Sequence, residues 1–206
     1  MFVKICGITN LEDALISVES GADALGFVFA DSPRKIDPIS AREIAMHVKG
    51  RVSLVGVFCD MDPDTVMEVS DLCMLDLLQF HGNESSKYCS MFGRRAIKAV
   101  RLKCKEDLWD IGSYDIEFVL VDSAKSGVSC DWNILKKYEF GDKKLILAGG
   151  LSPDNVAMAI RQVTPFGVDC SSGVEACVGK KDPVRVKEFI KRAKTVAQLV
   201  REERFT

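Results

Sequence analysis

Eight short apolar runs alternate with stretches of helix length, and this alternation limits the folds that the chain can adopt. The runs are rich in β-branched and aromatic residues, and two of them, 54–58 and 118–121, are apolar or glycine throughout. Uninterrupted apolar runs are typical of strands that are covered on both faces. The sequence therefore predicts strands at 2–6, 24–29, 53–59, 75–79, 96–100, 117–121, 144–148 and 167–170.

Eight strands that are each followed by a helix predict a closed parallel (β/α)8 TIM barrel. The chain has 206 residues, and this fold begins at about 200 residues. We therefore expect a single barrel domain over residues 1–206, with fraying from about residue 198 to 206. The alternative is an open doubly wound sheet, which usually has fewer strands and a glycine-rich first turn.

Several helix starts are marked by capping residues and prolines. The segment Thr9-Asn10-Leu11-Glu12-Asp13 places a capping residue three before a carboxylate, and Ser40 stands three before Glu43, which are spacings that cap a helix start. A proline is tolerated at the first helical position. Three prolines are predicted to occupy that position, namely Pro63, Pro153 and Pro183.

Composition excludes several classes of protein. The 28 basic and 30 acidic residues nearly cancel, so the chain lacks the basic excess of a nucleic-acid binder. No apolar run approaches the ~18 residues of a membrane helix, and no leader precedes the first strand, so we expect a cytoplasmic protein. The eight cysteines form no C-x-x-C pair. We expect reduced, mostly buried thiols and no metal site.

The loops after the seventh and eighth predicted strands have the composition of an anion site. Gly149 and Gly150 follow the seventh strand, and Ser171, Ser172 and Gly173 follow the eighth. Glycine lets the backbone approach an anion closely, and these two loops are where barrel enzymes most often bind phosphate. We predict a phosphorylated small-molecule substrate; the alternative is that the glycines only form tight turns.

Cys6 and Asp122 are the candidates for acid–base chemistry. Each ends a predicted strand, where the active sites of barrels lie. Lys4 shares a strand face with Cys6, so its ammonium group would favour the thiolate. A carboxylate that follows four apolar residues is costly to bury unless it is paired or has a functional role. The alternatives are a buried packing thiol and a structural ion pair.

Two further strand-end residues could contact a ligand. Arg34 lies in a proline-containing loop after the second strand and could bind a carboxylate bidentately, although most exposed arginines are only solvated. His81 follows the fourth strand, where it could instead cap a helix or fix the loop.

Taken together, these residues resemble the phosphoribosylanthranilate isomerase family. The resemblance runs in order from residue 4 to about residue 182. It is carried by Lys4-Ile5-Cys6-Gly7-Ile8-Thr9, Gly21-Ala22-Asp23, Gly26-Phe27-Val28-Phe29, Ser32-Pro33-Arg34, Val55-Gly56-Val57-Phe58, Gln79-Phe80-His81-Gly82, Ile97-Lys98-Ala99, Asp131-Trp132, Leu147-Ala148-Gly149-Gly150-Leu151, Val168-Asp169 and Ser171-Ser172-Gly173-Val174-Glu175.

The resemblance implies a (β/α)8 barrel that performs an Amadori rearrangement without a cofactor, in tryptophan biosynthesis. The substrate would be N-(5-phosphoribosyl)anthranilate and the product 1-(2-carboxyphenylamino)-1-deoxyribulose 5-phosphate. Neither nucleic acid nor membrane would be a partner, and the protein would be a monomer or a homodimer.

The resemblance also implies roles for individual residues. Cys6 would be the general base, with a pKa lowered by Lys4, and Asp122 the general acid, with a pKa raised by its apolar strand end. Arg34 would bind the anthranilate carboxylate. The loops after the seventh and eighth strands would bind the phosphate, and His81 and Asp169 would line the pocket.

The chain departs from the family pattern in two places. The segment 123–130 has one glycine where the family has a glycine-rich stretch, and Phe80 stands where leucine is more usual. Three other functions are weighed against the isomerase: the related aminoaldose isomerase of histidine biosynthesis, a barrel that senses a phosphorylated metabolite without turnover, and a thiol redox protein. The first would need an aspartate where Cys6 stands.

Overall fold

Ten strands are present in the computed structural model, which describes residues 1–123 and 132–203. Eight of them match the eight predicted runs, and three of these, β1, β7 and β8, match residue for residue. The strands are β1 (Phe2–Cys6), β2 (Ala24–Val28), β3 (Ser53–Phe58), β4 (Leu77–Phe80), β5 (Ala96–Leu102), β6 (Phe118–Ser123), β7 (Lys144–Ala148), β8 (Gly167–Cys170), β9 (Glu175–Cys177) and β10 (Lys180–Lys181).

The first eight strands form a closed barrel in chain order. Every neighbouring pair is parallel, and β8 pairs with β1, which closes the sheet. The predicted (β/α)8 barrel is therefore confirmed, and the open doubly wound sheet is excluded. The closing register places Lys4 beside Asp169, and β9 and β10 form a separate antiparallel hairpin after the barrel closes.

Seven α-helices are described, and some of them begin where the sequence predicts. Asn10 accepts a hydrogen bond from Asp13 N, and Asp62 and Asp182 cap helices that begin at Pro63 and Pro183. The helices are α1 (Leu11–Glu19), α2 (Pro38–Val48), α3 (Pro63–Leu72), α4 (Ser86–Ser90), α5 (Trp132–Lys137), α6 (Val156–Val163) and α7 (Pro183–Glu202).

Two predicted helix starts are wrong. Helix α2 begins at Pro38 rather than at Ser40, because Asp37 Oδ1 accepts hydrogen bonds from the second and third amides of the helix. Helix α6 begins at Val156, and Pro153 lies in the turn that precedes it. Helix α7 extends through Glu202. The fraying expected from about residue 198 to 206 stays a prediction.

A helix follows every barrel strand, as predicted, but two of these connections are irregular. After β5 the helix is a 3-10 helix, Lys105–Ser113, and after β8 a single 3-10 turn, Ser172–Val174, and the β9–β10 hairpin precede α7. Among the described helices, none is long and apolar enough to cross a membrane.

The core has two layers that follow from the alternation along the strands. Leu25 and Phe27 of β2 pack outward into the large cluster beneath the helices, whereas Ala24 packs inward. The inner cluster gathers buried side chains from five strands, β2, β3, β5, β6 and β7, which can meet only inside the barrel. Phe80 packs outward against Phe92, with ring centroids 4.8 Å apart, so the unusual phenylalanine is a packing change.

Candidate active site

A cavity of about 660 Å³ opens at the carboxyl ends of the barrel strands. Two larger hollows, of about 720 and 840 Å³, lie elsewhere and contain none of the predicted site residues. The cavity at the strand ends is lined by all ten of them, namely Cys6, Arg34, His81, Asp122, Gly149, Gly150, Asp169, Ser171, Ser172 and Gly173. Their convergence is shown by the structure, whereas their individual roles stay predictions.

Cys6 lies beside a buried ion pair inside the barrel. Lys4 Nζ is 3.0 Å from Asp169 Oδ1, and the Lys4 side chain is fully buried. Burial alone would lower the pKa of Lys4, but Asp169 and the Cys6 sulfur raise it above its ordinary value. Lys4 is therefore charged, and it faces both the carboxylate and the thiol.

The prediction that Lys4 lowers the pKa of Cys6 below its ordinary value is wrong. Burial raises the pKa of the Cys6 thiol, and Lys4 only partly offsets that rise. The physical reason is that Lys4 is already paired with Asp169, whose negative charge opposes ionisation of the sulfur. Lys4 therefore does not bring the pKa of Cys6 below its ordinary value.

Gly26 on the neighbouring strand provides the space that this thiol occupies. A Cβ atom at Gly26 would lie 2.7 Å from Cys6 Sγ and 3.1 Å from Lys4 Nζ. The first distance is shorter than real contacts allow and the second is tighter than ordinary van der Waals contact, so a larger residue there would displace the sulfur and crowd the ammonium group. The register that pairs Cys6 with Gly26 makes this glycine part of the site.

Asp122 faces His81 on the opposite side of the cavity. His81 Nε2 is 3.5 Å from Asp122 Oδ2, and the Asp122 side chain is 30% exposed. The strand end is therefore polar and open, which differs from the apolar setting that the sequence suggests. The amide of Gln79 lies 3.3 Å from His81 Nδ1.

The loop that carries His81 is fixed by a different pair of residues. Lys98 Nζ donates to Glu84 Oε2 and to the Gly82 carbonyl, each at 2.7 Å. Glu84 in turn accepts from the backbone amides of Asp60 and Gly82. This buried network supports the loop, so His81 is not needed to fix it and its ring faces the cavity.

The guanidinium of Arg34 is held by a carboxylate that the sequence did not single out. Arg34 Nε and Nη2 donate to Glu175 Oε1 and Oε2, both at 2.7 Å. Glu175 also pairs with Lys181, whose Nζ lies 3.0 Å away and is fully buried. Burial works to raise the pKa of Glu175, but its bonds to Arg34 and the charge of Lys181 hold that pKa below its ordinary value.

The two glycine-containing loops pack directly on one another. A Cβ at Gly173 would lie 1.8 Å from the Leu151 carbonyl oxygen, so only glycine fits there. Gly149 and Gly150 both have positive φ, at 87° and 62°. Asn155 holds this turn, because its side chain accepts from Ser152 N at 2.8 Å and donates to the Gly150 carbonyl at 2.9 Å.

The carbonyls of these loops are bonded to side chains. Asn155 donates to the carbonyl of Gly150, and Lys181 Nζ donates to that of Ser171 at 3.2 Å. In a trans peptide the next amide N–H points the opposite way. The N–H groups of Leu151 and Ser172 therefore point away from Asn155 and Lys181.

Cys170 is not placed to form a disulfide with Cys6. Seven cysteines are described, and all are free. Cys170 lies on the strand next to Cys6, but it packs in the layer beneath the helices and donates to the Leu151 carbonyl at 3.0 Å. Cys6 packs with the residues inside the barrel mouth. The two thiols therefore lie on opposite faces of the sheet.

Glu175, Lys181, Gly26 and Asn155 are the functional candidates that sequence reasoning did not single out. Glu175 and Arg34 are 141 residues apart in the chain, and no local pattern marks such a pair. Gly26 and Asn155 look like an ordinary strand glycine and a helix cap. The glycine-poor segment was a recognised departure, but residues 124–131 lie outside the described residues.

The fold and the cavity define a class: a (β/α)8 barrel enzyme with its polar site at the carboxyl ends of the strands. Comparison with known proteins then gives the family. The model of the family described as N-(5'phosphoribosyl)anthranilate (PRA) isomerase matches residues 3–192. The chain belongs to the N-(5'-phosphoribosyl)anthranilate isomerase family.

Individual relatives agree with this assignment. The chain is 48% identical over 202 residues to N-(5'-phosphoribosyl)anthranilate isomerase of Geotalea uraniireducens, covering 93% of this chain and 98% of that protein. The crystal structure of phosphoribosyl anthranilate isomerase from Thermotoga maritima is similar with a TM-score of 0.89 and 44% identity, covering 95% and 99% of the two chains.

A further similar structure contains a ligand. It is phosphoribosyl anthranilate isomerase in complex with reduced 1-(o-carboxyphenylamino)-1-deoxyribulose 5-phosphate. Its TM-score to this chain is 0.86 at 44% identity, and the match covers 95% of this chain and 99% of that one.

Proposed function

We propose that this protein converts N-(5-phosphoribosyl)anthranilate to 1-(2-carboxyphenylamino)-1-deoxyribulose 5-phosphate in tryptophan biosynthesis, by an Amadori rearrangement without a cofactor. Family membership sets the reaction class. The single structural observation that carries the proposal is the presence of a thiol, Cys6, and a carboxyl group, Asp122, in one cavity with two glycine-containing loops. We also propose that the protein works in the cytoplasm as a monomer or a homodimer, without nucleic-acid or membrane partners.

Asp122 opens the sugar ring in this mechanism. Its protonated carboxyl group donates a proton to the ribose ring oxygen while the bond from that oxygen to C1 breaks. The nitrogen lone pair forms the C1–N double bond of an iminium ion, so charge is conserved. His81, 3.5 Å from Asp122 Oδ2, orients the carboxyl group for this transfer.

Cys6 then removes the proton from C2. The electrons of that C–H bond form the C1–C2 double bond and neutralise the iminium nitrogen, and the resulting enol tautomerises to the ketone. Because burial raises the pKa of Cys6, the thiol needs added positive charge before it ionises. The iminium ion would supply that charge at the moment when the base is needed.

The phosphate is proposed to bind the loops that contain Gly149, Gly150, Ser171, Ser172 and Gly173. Backbone N–H groups in glycine-containing loops are suited to phosphate oxygens. The hydrogen bonds of the Gly150 and Ser171 carbonyls support this assignment. These carbonyls accept from Asn155 and Lys181, so the N–H groups that follow them point away from those two side chains. Asp169, which holds Lys4, is proposed to keep that ammonium group beside Cys6.

Arg34 is proposed to bind the carboxylate of the anthranilate group. Its guanidinium lies in the same cavity as the phosphate loops, and two of its five N–H groups are used by Glu175, which leaves three for a ligand. A second edge of the guanidinium, formed by Nη1 and Nη2, is suited to a bidentate carboxylate.

The proposed reaction is tested by following anthranilate-linked fluorescence while the substrate, generated in situ, meets purified protein. We expect the fluorescence to disappear with the wild type and Asp122→Asn to slow this about 10²–10⁴-fold, as general acid catalysis does. A wild type without turnover would contradict the function. Near-normal turnover by Asp122→Asn would contradict the assignment of the acid.

A further inference from the structure

We infer that Glu175 is a positioning residue that sets the selectivity of Arg34 for a carboxylate-bearing aromatic amine. This inference rests on the proposed function and extends it to a residue that does not itself touch the substrate. The structure assigns this role to Glu175 because Glu175 binds one edge of the Arg34 guanidinium group, and the other edge is left for a ligand in the cavity.

A guanidinium group has two edges that can bind a carboxylate bidentately. The edge formed by Nε and Nη2 is taken by Glu175, with both donor–acceptor distances at 2.7 Å. The edge formed by Nη1 and Nη2 has no acceptor among the residues that the structure describes. Two parallel hydrogen bonds fix the plane of the guanidinium as well as its place, so Glu175 determines the direction in which the free edge points.

Glu175 is itself held firmly. Its side chain is 5% exposed, and Lys181 Nζ lies 3.0 Å from Oε1. Glu175 and Lys181 face each other across the β9–β10 hairpin. Because Lys181 is fully buried and also donates to the Ser171 carbonyl at 3.2 Å, the position of Glu175 is tied to the loop after β8.

The stem of Arg34 is fixed as well. Gly7 has a φ of +73°, and a Cβ there would lie 2.7 Å from Arg34 Cδ and 3.0 Å from Ser171 Oγ. The arginine therefore crosses the end of β1 in a space that only glycine leaves open. Gly7 bounds the stem of Arg34, and Glu175 binds its guanidinium group.

Charge and geometry together give the selectivity. Arg34 and Lys181 are cations and Glu175 is an anion, so the group keeps one net positive charge for a ligand. Lys181 ties Glu175 to the phosphate loop, so the separation between the phosphate site and the free guanidinium edge is set within the protein. A substrate with a phosphate at one end and an aromatic carboxylate at the other would use both sites, whereas a phosphosugar without the carboxylate would use only the first site.

The central experiment compares Glu175→Gln with the wild type. Glutamine is close in shape, but it can accept only one of the two bonds and carries no charge. We expect KM for N-(5-phosphoribosyl)anthranilate to rise about tenfold or more, with a smaller change in kcat, because a charge-assisted pair is lost. Inhibition by inorganic phosphate should change less than about twofold. Equal weakening of substrate and phosphate, or an unchanged KM, would overturn the inference.

A double variant shows whether Glu175 acts through Arg34. In an Arg34→Ala background, Glu175→Gln should change KM by less than about twofold, since the group it positions is gone. A persistent tenfold effect would assign Glu175 a structural role only. The matched control is Glu12→Gln, which removes the carboxylate from an exposed pair with Lys180 and should leave both constants unchanged.

Two further measurements distinguish a failure of folding, and a failure of the proposed function, from a failure of the role assigned to Glu175. If Glu175→Gln does not fold, Glu175→Gln with Lys181→Met removes the unpaired buried ammonium, and the same tenfold rise in KM is expected. Absence of turnover in the wild type would defeat the proposed function. Turnover in the wild type with no effect in either Glu175 variant would defeat only the role of Glu175.

Discussion

The two sides of the cavity differ in how tightly their polar groups are held. On the β1/β8 side, Lys4–Asp169 and Glu175–Lys181 are buried ion pairs at 3.0 Å, and Arg34, whose side chain is 21% exposed, is held by Glu175 at 2.7 Å. On the β4/β6 side, His81 and Asp122 are partly exposed and 3.5 Å apart. The β1/β8 side has its geometry before a ligand arrives, whereas the contact between His81 and Asp122 has room to shorten. Apo contacts of this kind commonly tighten only with substrate bound.

This difference suggests that the two sides of the cavity have different roles in the reaction. The β1/β8 side carries the proposed base and both proposed anion sites, so it fixes the position of the sugar. The β4/β6 side carries the proposed acid, which must exchange its proton with solvent in each cycle. Partial exposure of Asp122 serves that exchange, and rigid burial would hinder it.

The largest expected effect comes from removing the base on the β1/β8 side. Cys6→Ala should lower kcat by about 10²–10⁴-fold, because the C2 proton then has no acceptor. Affinity for the reduced product should remain, since the anion sites are intact. The comparison is made in the fluorescence assay, with Cys177→Ser, an exposed thiol on β9, as the control. Near-normal turnover by Cys6→Ala would mean that another group is the base.

The second effect tests how little room the sulfur has. Gly26→Ala would place a Cβ 2.7 Å from Cys6 Sγ, and a misplacement of about 1 Å can cost about 10²-fold in rate. We expect a fall in kcat of that order and a loss of about 1–3 kcal/mol in the free energy of unfolding. Gly112→Ala is the matched control, because nothing lies within 4 Å of the added carbon. An active Gly26→Ala variant would show that the position of the thiol is not critical.

The pH dependence tests the electrostatics of the same side. Burial raises the pKa of Cys6, and only the thiolate accepts the proton, whereas Asp122 must be protonated, so the titration of Cys6 is read in Asp122→Asn, where the acid no longer titrates. In that variant we expect the residual kcat/KM to increase about tenfold per pH unit through neutrality and to level only above the ordinary range of a thiol, which is about 8.5. A profile that levels at or below about pH 7 would show that the thiol is ionised in the free protein.

The smallest effect concerns the loop after β7. Asn155→Ala removes two hydrogen bonds that shape residues 150–152, each worth about 1 kcal/mol. Inhibition by inorganic phosphate should weaken about fivefold, and kcat should change less. If phosphate inhibition is unaffected while substrate binding through Arg34 is lost, the assignment of the two anion sites is reversed.

The sequence predicts the barrel well because each strand is buried on both faces and each run is short. Three strands match residue for residue, and the main errors are helix starts, where Asp37 competes with Ser40 as the cap. Of the site, the ten residues at strand ends could be found because the barrel collects those ends at one mouth. Glu175 and Gly26 could not, since their importance arises only from contacts across the closed sheet.

The prediction that Lys4 lowers the pKa of Cys6 was wrong for a related physical reason. Alternation places Lys4 and Cys6 on one face, and this was confirmed by the structure. Closure of the barrel then brings Asp169 onto the same ammonium group. Strand alternation along β1 does not reveal a partner that arrives from the last strand, 165 residues away.

The most direct test of the central claim is a crystal structure of this protein with reduced 1-(o-carboxyphenylamino)-1-deoxyribulose 5-phosphate. The account predicts the phosphate on the loops of residues 149–150 and 171–173 and the aromatic carboxylate on Arg34. It also predicts C2 next to Cys6 Sγ and a sugar oxygen within about 2.6–3.2 Å of Asp122. A ligand bound in the reverse direction, or one whose C2 faces away from the sulfur, would contradict it.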